Sequence, residues 1–300
     1  MNRNESTAYK IFSVCNVVFM ILISVIMLFP YLHVLAKAFN EGMDASRGGI
    51  LIWPRKFTLE NFVVILSGDT FKNALGVSVA RVLIGVVLGL FVQFSAAYAL
   101  TKDKFFGKNV IKTLFVVSMY FSAGLIPIYV LYSQIKLLNS FWVYILPTLF
   151  SYHNIIIIKT FIQTTIPVSL EESALLDGAN EMHVFFKIIL PLSKPILATV
   201  ALWIMVAHWN DWTTTMYYIK KPDLYTLQYI MMQIVKESER AQKLMAAALE
   251  SGMSAENVSQ TTTEAVSAAQ VIVSTIPIIC VYPFLQKYFV KGLMLGSVKG

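Results

Sequence analysis

Six apolar runs separated by polar stretches set the pattern of the chain. They cover approximately 12–39, 74–100, 110–135, 141–161, 188–212 and 265–288. Each holds about 20 mostly apolar residues, the length an α-helix needs to cross roughly 30 Å of hydrocarbon. Pro30, Pro127, Pro147, Pro195, Pro277 and Pro283 fall in or beside these runs. Membrane helices tolerate proline where neighbouring helices satisfy the freed carbonyls. The pattern therefore predicts an all-α integral membrane protein: a short N-terminal segment, 1–11, then a transmembrane domain of six helices over 12–300. The first run could be taken for a secretory leader, because Ala36-Lys37-Ala38 has the small-x-small form of a cleavage site. It is longer than the roughly 7–15 apolar residues of a leader and more spans follow it, so it is expected to be a span.

The stretches between the runs differ in kind. Segments 41–73 and 213–264 are long and polar, whereas 101–109 is short and basic. Segment 163–187 is patterned: Leu170, Ala174, Leu175 and Ala179 stand at helical offsets, with acids at Glu171, Glu172, Asp177 and Glu181. That predicts a surface helix with one apolar face. Lys and Arg divide almost evenly between the two sides, but the cluster from Lys102 to Lys112 abuts two spans, where positive charge weighs most on topology. This places both termini in the cytoplasm, the segments 41–73 and 213–264 outside, and the patterned helix inside.

Composition agrees. The chain is 57% hydrophobic and 14% charged, with a mean hydropathy of +0.66, too little polar surface to coat a soluble globule of this length. The net charge of +7 sits in short clusters between apolar runs, as membrane-flanking charge does, rather than in a stripe suited to nucleic acid. Cys15 and Cys280 lie in or beside apolar runs without metal-ligand spacing, and are expected to be small buried apolar residues. No G-x-x-x-x-G-K-[S/T] occurs, so the chain lacks a phosphate cradle for ATP. No H-E-x-x-H occurs, and His33, His153, His183 and His208 are scattered. An enzyme with its own catalytic or metal centre is not indicated.

The patterned segment reads Glu172-Ser173-Ala174-Leu175-Leu176-Asp177-Gly178-Ala179, and after nine residues beyond Gly178 comes Ile188-Ile189-Leu190-Pro191. This resembles the EAA loop of binding-protein-dependent ABC importers, E-A-A, three residues, G, nine residues, I-x-L-P, with Ser173 in place of the first alanine. The residues make physical sense for such a loop, here 163–191. Ala174 and Ala179 allow close approach of a partner, Glu172 offers a carboxylate to an arginine or to backbone amides, Gly178 permits a tight turn, and Pro191 marks the approach to the next span. A helix merely lying on the headgroups would carry Lys or Arg on its polar face rather than four acids.

The resemblance continues elsewhere. The C-terminal stretch from Leu285 through Gly292 to Gly296-Ser297-Val298-Lys299-Gly300 looks like that of the sugar-importer branch, similar to maltose-type permeases, as do Trp209-Asn210-Asp211-Trp212 and Tyr225-Thr226-Leu227. It implies the permease subunit of an importer in a bacterial plasma membrane, moving a carbohydrate, an oligosaccharide, inward by alternating access. The implied partners are a second permease subunit, two copies of an ATPase subunit that bind the ATP, and an extracellular solute-binding protein; no cofactor belongs to this chain. The implied ATPase-coupling residues are Glu172, Ser173, Ala174, Asp177, Gly178, Ile188, Leu190 and Pro191.

A substrate path is sketched by Trp209, Asn210, Asp211 and Arg81. Trp209 and Trp212 can stack on sugar or form an interfacial belt, and Arg81 can face a path or snorkel to the headgroups from two turns inside its helix. Gly85-x-x-x-Gly89 allows close helix packing. An ion-coupled secondary carrier is the competing class, and it would show internal repeats and buried acids. The spans show no repeat and hardly a buried carboxylate. A membrane scaffold without transport activity stays open.

Overall fold

A computed structural model describes residues 7–46, 48–103, 105–250 and 263–296. Lys104, the 251–262 part of the polar segment 213–264, and Ser297 to Gly300 of the C-terminal stretch lie outside the described residues. The described chain is helical, with one isolated antiparallel bridge between Asn40 and Phe57. In order come α1 (Thr7–Ala38), α2 (Gly42–Ser46), α3 (Glu60–Ser67), α4 (Asp69–Ala99), α5 (Lys108–Tyr120) and α6 (Leu125–Gln134). Two 3-10 turns, Phe141–Tyr144 and Leu146–Thr148, lead into α7 (Tyr152–Thr165) and α8 (Val168–Leu176). Then follow α9 (Glu181–His183), a π-helical stretch Val184–Ile189, α10 (Leu190–Leu192), α11 (Lys194–Asn210), α12 (Thr213–Tyr218), α13 (Leu227–Glu250) and α14 (Thr263–Gly296).

Among the described residues, α1 and α4 are each long and apolar enough to cross a membrane unbroken. Three further apolar runs are bent: by 118° between α5 and α6, by 47° between Phe141–Thr148 and α7, and by 77° between Glu181–Leu192 and α11. The causes are local. Gly124, at φ +86°, turns the chain before α6. Pro147 holds the second pair in 3-10 geometry up to the break, after which Ser151 accepts the amide of Asn154 and caps α7. Pro191 and Pro195 each remove a backbone donor around Ser193, so the i→i−4 ladder cannot run through, and the π-helical stretch sits just upstream. Pro30, Pro277 and Pro283 lie inside continuous helices.

The chain forms two compact units. In the unit made of Met1–Gly68 and Met231–Ile276, the segment after α1 is tied down by amides. Asn40 Nδ2 donates to Asp44 Oδ2 at 2.9 Å, and Asn40 Oδ1 accepts the Lys56 amide at 2.8 Å. Asn61 Nδ2 donates to the carbonyls of Ala38 and Asn40, both at 2.9 Å. Arg55 Nε binds Asp44 Oδ2 at 2.9 Å, and its Nη2 reaches the Asp44 and Gly48 carbonyls. The polar stretch after the first run thus carries α2, α3 and an ordered turn. Cys15 is exposed along α1 and Cys280 along α14, a correction to the expected burial: α1 shows an apolar surface from Tyr9 to Leu32, and a small apolar side chain facing lipid costs nothing there.

The other unit, Asp69–Ile230 with Pro277–Gly300, is built on α4, α7 and α11. Its core joins Phe94, Ala97 and Tyr98 of α4 to Ile155, Ile158 and Ile162 of α7, and to Val184, Phe185, Ile189, Val200 and Ile204 around α11. α4 and α11 approach closely at Gly85 and Gly89. A Cβ on Gly85 would stand 2.4 Å from His208 Nε2, and one on Gly89 3.5 Å from Ile204 Cδ1. The Gly85-x-x-x-Gly89 pair is therefore a packing surface, and its first member makes room for a histidine ring.

Candidate functional site

The patterned segment folds as a helix, a turn and a second short helix. α8 ends at Leu176, and the turn that follows is made at Gly178, whose φ of +86° suits a residue without a Cβ. The Gly178 amide donates to the Leu175 carbonyl at 3.1 Å and the Ala179 amide to the Ala174 carbonyl at 2.9 Å, the paired bonds of a Schellman turn. Asn180 then caps α9 by accepting the His183 amide at 2.8 Å. Ala174, Ala179, Ile188 and Leu190 pack against the core of α4, α7 and α11. Glu172, Ser173, Asp177, Gly178 and Pro191 are exposed, as is Leu176 at 88%. The residues of the motif thus divide in two: the small and aliphatic ones seat the turn, and the acids and Leu176 face outward.

Two acids of the same segment converge on one cation, Glu171 half-buried and Glu181 exposed. Lys102 pairs with Glu171 of α8 and, at 3.0 Å, with Glu181 of α9. Its ammonium lies 4.4 Å from the centre of the Tyr98 ring. The Tyr98 hydroxyl is 3.4 Å from Glu171 and 3.2 Å from Glu181. The Lys102 ammonium beside it holds the Glu181 carboxyl below its ordinary range, against the opposing effect of burial. Lys102, Glu171, Glu172 and Glu181 border a cavity of about 730 Å³.

A second cavity, about 520 Å³, lies among α4, α7 and α11, and its lining includes Arg81, Gln93, Asn154, Trp203, His208 and Asp211. Arg81 does not snorkel, contrary to one of the readings open from the sequence: it is 1% exposed because every guanidinium nitrogen has a partner inside. Nε donates to His208 Nδ1 at 3.2 Å, Nη1 to the Asp211 carbonyl at 3.0 Å, and Nη2 to the Asp211 carboxylate. The guanidinium carbon stands 4.6 Å over the Tyr144 ring. Arginine nitrogens only donate, so His208 Nδ1 accepts, the ring proton sits on Nε2, and that proton points at Thr148 Oγ1, 3.3 Å away.

Asp211 also takes the amides and hydroxyls of Thr213 and Thr214. It is a part-buried carboxylate the run pattern did not single out as such, neutralised where it stands. Of the other two path candidates, Trp209 is buried and Asn210 exposed, and neither lines the cavity.

Sequence reasoning missed Gln93, Asn154 and His208. Asn154 Nδ2 donates to Gln93 Oε1 at 2.9 Å, and Gln93 Nε2 to the Leu149 carbonyl at 3.1 Å. The signal was present: an amide in the apolar stretch of α4 and another just before four isoleucines, and polar side chains inside apolar runs find one another.

A membrane-suited helical domain with an EAA-type turn on one flank and a polar cavity among its helices is the architecture of a transport permease. The chain belongs to the family described as binding-protein-dependent transport system inner membrane component, which matches residues 6–294. It is 37% identical over 297 residues to Protein LplC of Bacillus subtilis (strain 168), covering 99% of this chain and 98% of that one. It is also 37% identical over 282 residues to the polygalacturonan/rhamnogalacturonan transport system permease protein YtcP of the same organism, covering 94% and 96%. Among solved structures it is similar to a chain of a bacterial ABC transporter involved in the import of the acidic polysaccharide alginate. The TM-score is 0.84 and the identity 26%, with 96% of this chain and 100% of that chain covered.

Proposed function

We propose that this chain is one of two permease subunits of an ATP-driven importer that moves an oligosaccharide inward across a bacterial plasma membrane. The observation that carries the reading is the α8 turn. Its Schellman geometry and small residues fix it to the transmembrane core, while Glu172, Asp177 and Leu176 stay available to another protein. In this reading α8 is the coupling helix, set between the fourth and fifth of six spans. The spans are α1, α4, the α5–α6 pair, the 3-10 turns with α7, the stretch 188–212 that ends in α11, and α14. Both termini are cytoplasmic, with 41–73 and 213–264 outside.

Two ATPase subunits dock on α8 and its counterpart in the second permease, and an external binding protein delivers the substrate. ATP-driven closure of the ATPase pair then rocks the spans between inward- and outward-facing states. The carbohydrate assignment is supported by the polygalacturonan/rhamnogalacturonan and alginate transport named for two similar proteins. The cavity bordered by Arg81 and Asp211 is the proposed path within this subunit.

Purification of this chain in mild detergent from its native membrane tests the reading. A second permease and an ATPase are expected to co-purify with ATP turnover, and Glu172→Arg is expected to abolish uptake while the chain stays inserted. A lone chain without ATPase activity would overturn it.

A further inference from the structure

We propose that Lys102 is the positioning residue that locks the coupling turn to α4, so that α8, α9 and the end of α4 move as one body. The inference rests on the reading of α8 as the coupling helix and adds to it the part that transmits the motion.

The chain geometry calls for such a part. The Schellman bonds close the turn at Gly178, just past the end of α8, and both run within α8 and its cap rather than to α4. Glu171 lies before that turn and Glu181 after it. One ammonium, three residues beyond the end of α4, reaches both. Tyr98, in the last turn of α4, supplies the floor and a hydroxyl to the same two acids. Lys102 and Glu171 are only 25% and 20% exposed, in contrast to the Lys72–Asp69 pair at 61% and 103%. Glu181 is 61% exposed, so the sheltered half of the clasp is the Lys102–Glu171 pair over the Tyr98 ring, which keeps its geometry better than an exposed pair, and an exposed pair contributes little.

Lys108 makes a different contact, with Asp103 at 3.1 Å, so the clasp is specific to Lys102 among the described basic residues of this turn. α4 then connects the clasp to the cavity: from Arg81 to the helix end at Ala99 the axis runs on the order of 30 Å, at 1.5 Å per residue. A push on α8 would reach the Arg81–Asp211 pair through one continuous helix, provided the joint at Lys102 does not yield.

The test is the spread of spin–spin distances between α8 and α4 in the assembled transporter. Labels go on Ser169→Cys and Phe91→Cys, both exposed, with Cys15 and Cys280 replaced by serine. With Lys102 intact, the distribution is expected to be narrow and the same with and without ATP and vanadate. Lys102→Met is expected to broaden it at least twofold, and Lys102→Arg to restore it. If Lys102→Met does not assemble, Glu171→Gln with Glu181→Gln removes the other half of the clasp and should broaden the distribution likewise. A narrow, unchanged distribution in whichever variant assembles would overturn the proposal. A photo-crosslinker at Leu176 separates the two ideas: cross-linking to the ATPase subunit upholds the coupling helix, and its absence overturns that reading whatever the distance spread shows.

Discussion

Gly85 is the residue where space is tightest. The His208 ring lies where a Cβ would be, with Nε2 at 2.4 Å and two ring carbons at 2.8 Å, whereas Gly76 on the same helix has nothing within 4 Å. Gly85→Ala must push His208 away from Arg81 and Thr148. It is expected to cost about 1–3 kcal/mol, seen as a lower melting temperature in detergent, while Gly76→Ala, in open space inside the same helix, leaves that temperature equal or higher. The ion pair next to it gives a second prediction. Arg81→Met strands the Asp211 carboxylate among its threonines and should cost about 3–5 kcal/mol, whereas Arg81→Met with Asp211→Asn removes the stranded charge and should recover most of that loss. Thermal unfolding of the three proteins side by side checks it; a double variant no better than Arg81→Met would mean that the pair is not the source of the cost. That Gly85, Arg81 and Asp211 merit attention was legible from type and position. Their mutual contact was not, because nothing in a single sequence places residue 81 beside residue 211 when both stand in runs that read alike as lipid-spanning.

At the scale of elements, apolar length told where helices lie but not where they bend. α1 and α4 are long single helices beginning five residues before the first and second predicted runs, whereas three other runs break by 47° to 118°. Hydropathy averages over some 20 residues, and the breaks are made by one or two: Gly124 with its positive φ, Pro147, and the Pro191–Pro195 pair. Pro30 sits in the continuous α1, so proline marked possible breaks without deciding among them. The EAA-like turn was the most legible element, since a glycine that permits a tight turn was expected at Gly178 and the structure holds it at positive φ. Gly178→Val forces a β-branched residue into φ near +86° and should cost about 1–2 kcal/mol at this turn. Gly178→Asn keeps a residue that tolerates the left-handed region. Uptake is expected to be lost in the valine variant and largely kept in the asparagine one; equal loss in both would show that the backbone angle is not what matters here.

For the whole molecule the question is which face of the membrane α8 occupies, because access to cellular ATP depends on it. An ATPase that hydrolyses cellular ATP can dock only from the cytoplasm, so a coupling role requires Leu176, which is 88% exposed, to be inside. Lys220 is exposed in the segment beyond α12, past the far end of α11 from the α8 turn, and should then be outside. With Cys15 and Cys280 replaced, a cysteine at Lys220 is expected to react with a membrane-impermeant maleimide in intact cells, and a cysteine at Leu176 only after permeabilisation. Lysine charge alone divides too evenly to fix this, but the cluster around Lys102 to Lys112 is flanked by two apolar runs and includes the residue that clasps Glu171 and Glu181. Topology signal and the proposed coupling joint thus share one turn of chain. The reverse labelling pattern would put that turn outside, where no ATP is available, and the importer mechanism would fall with it.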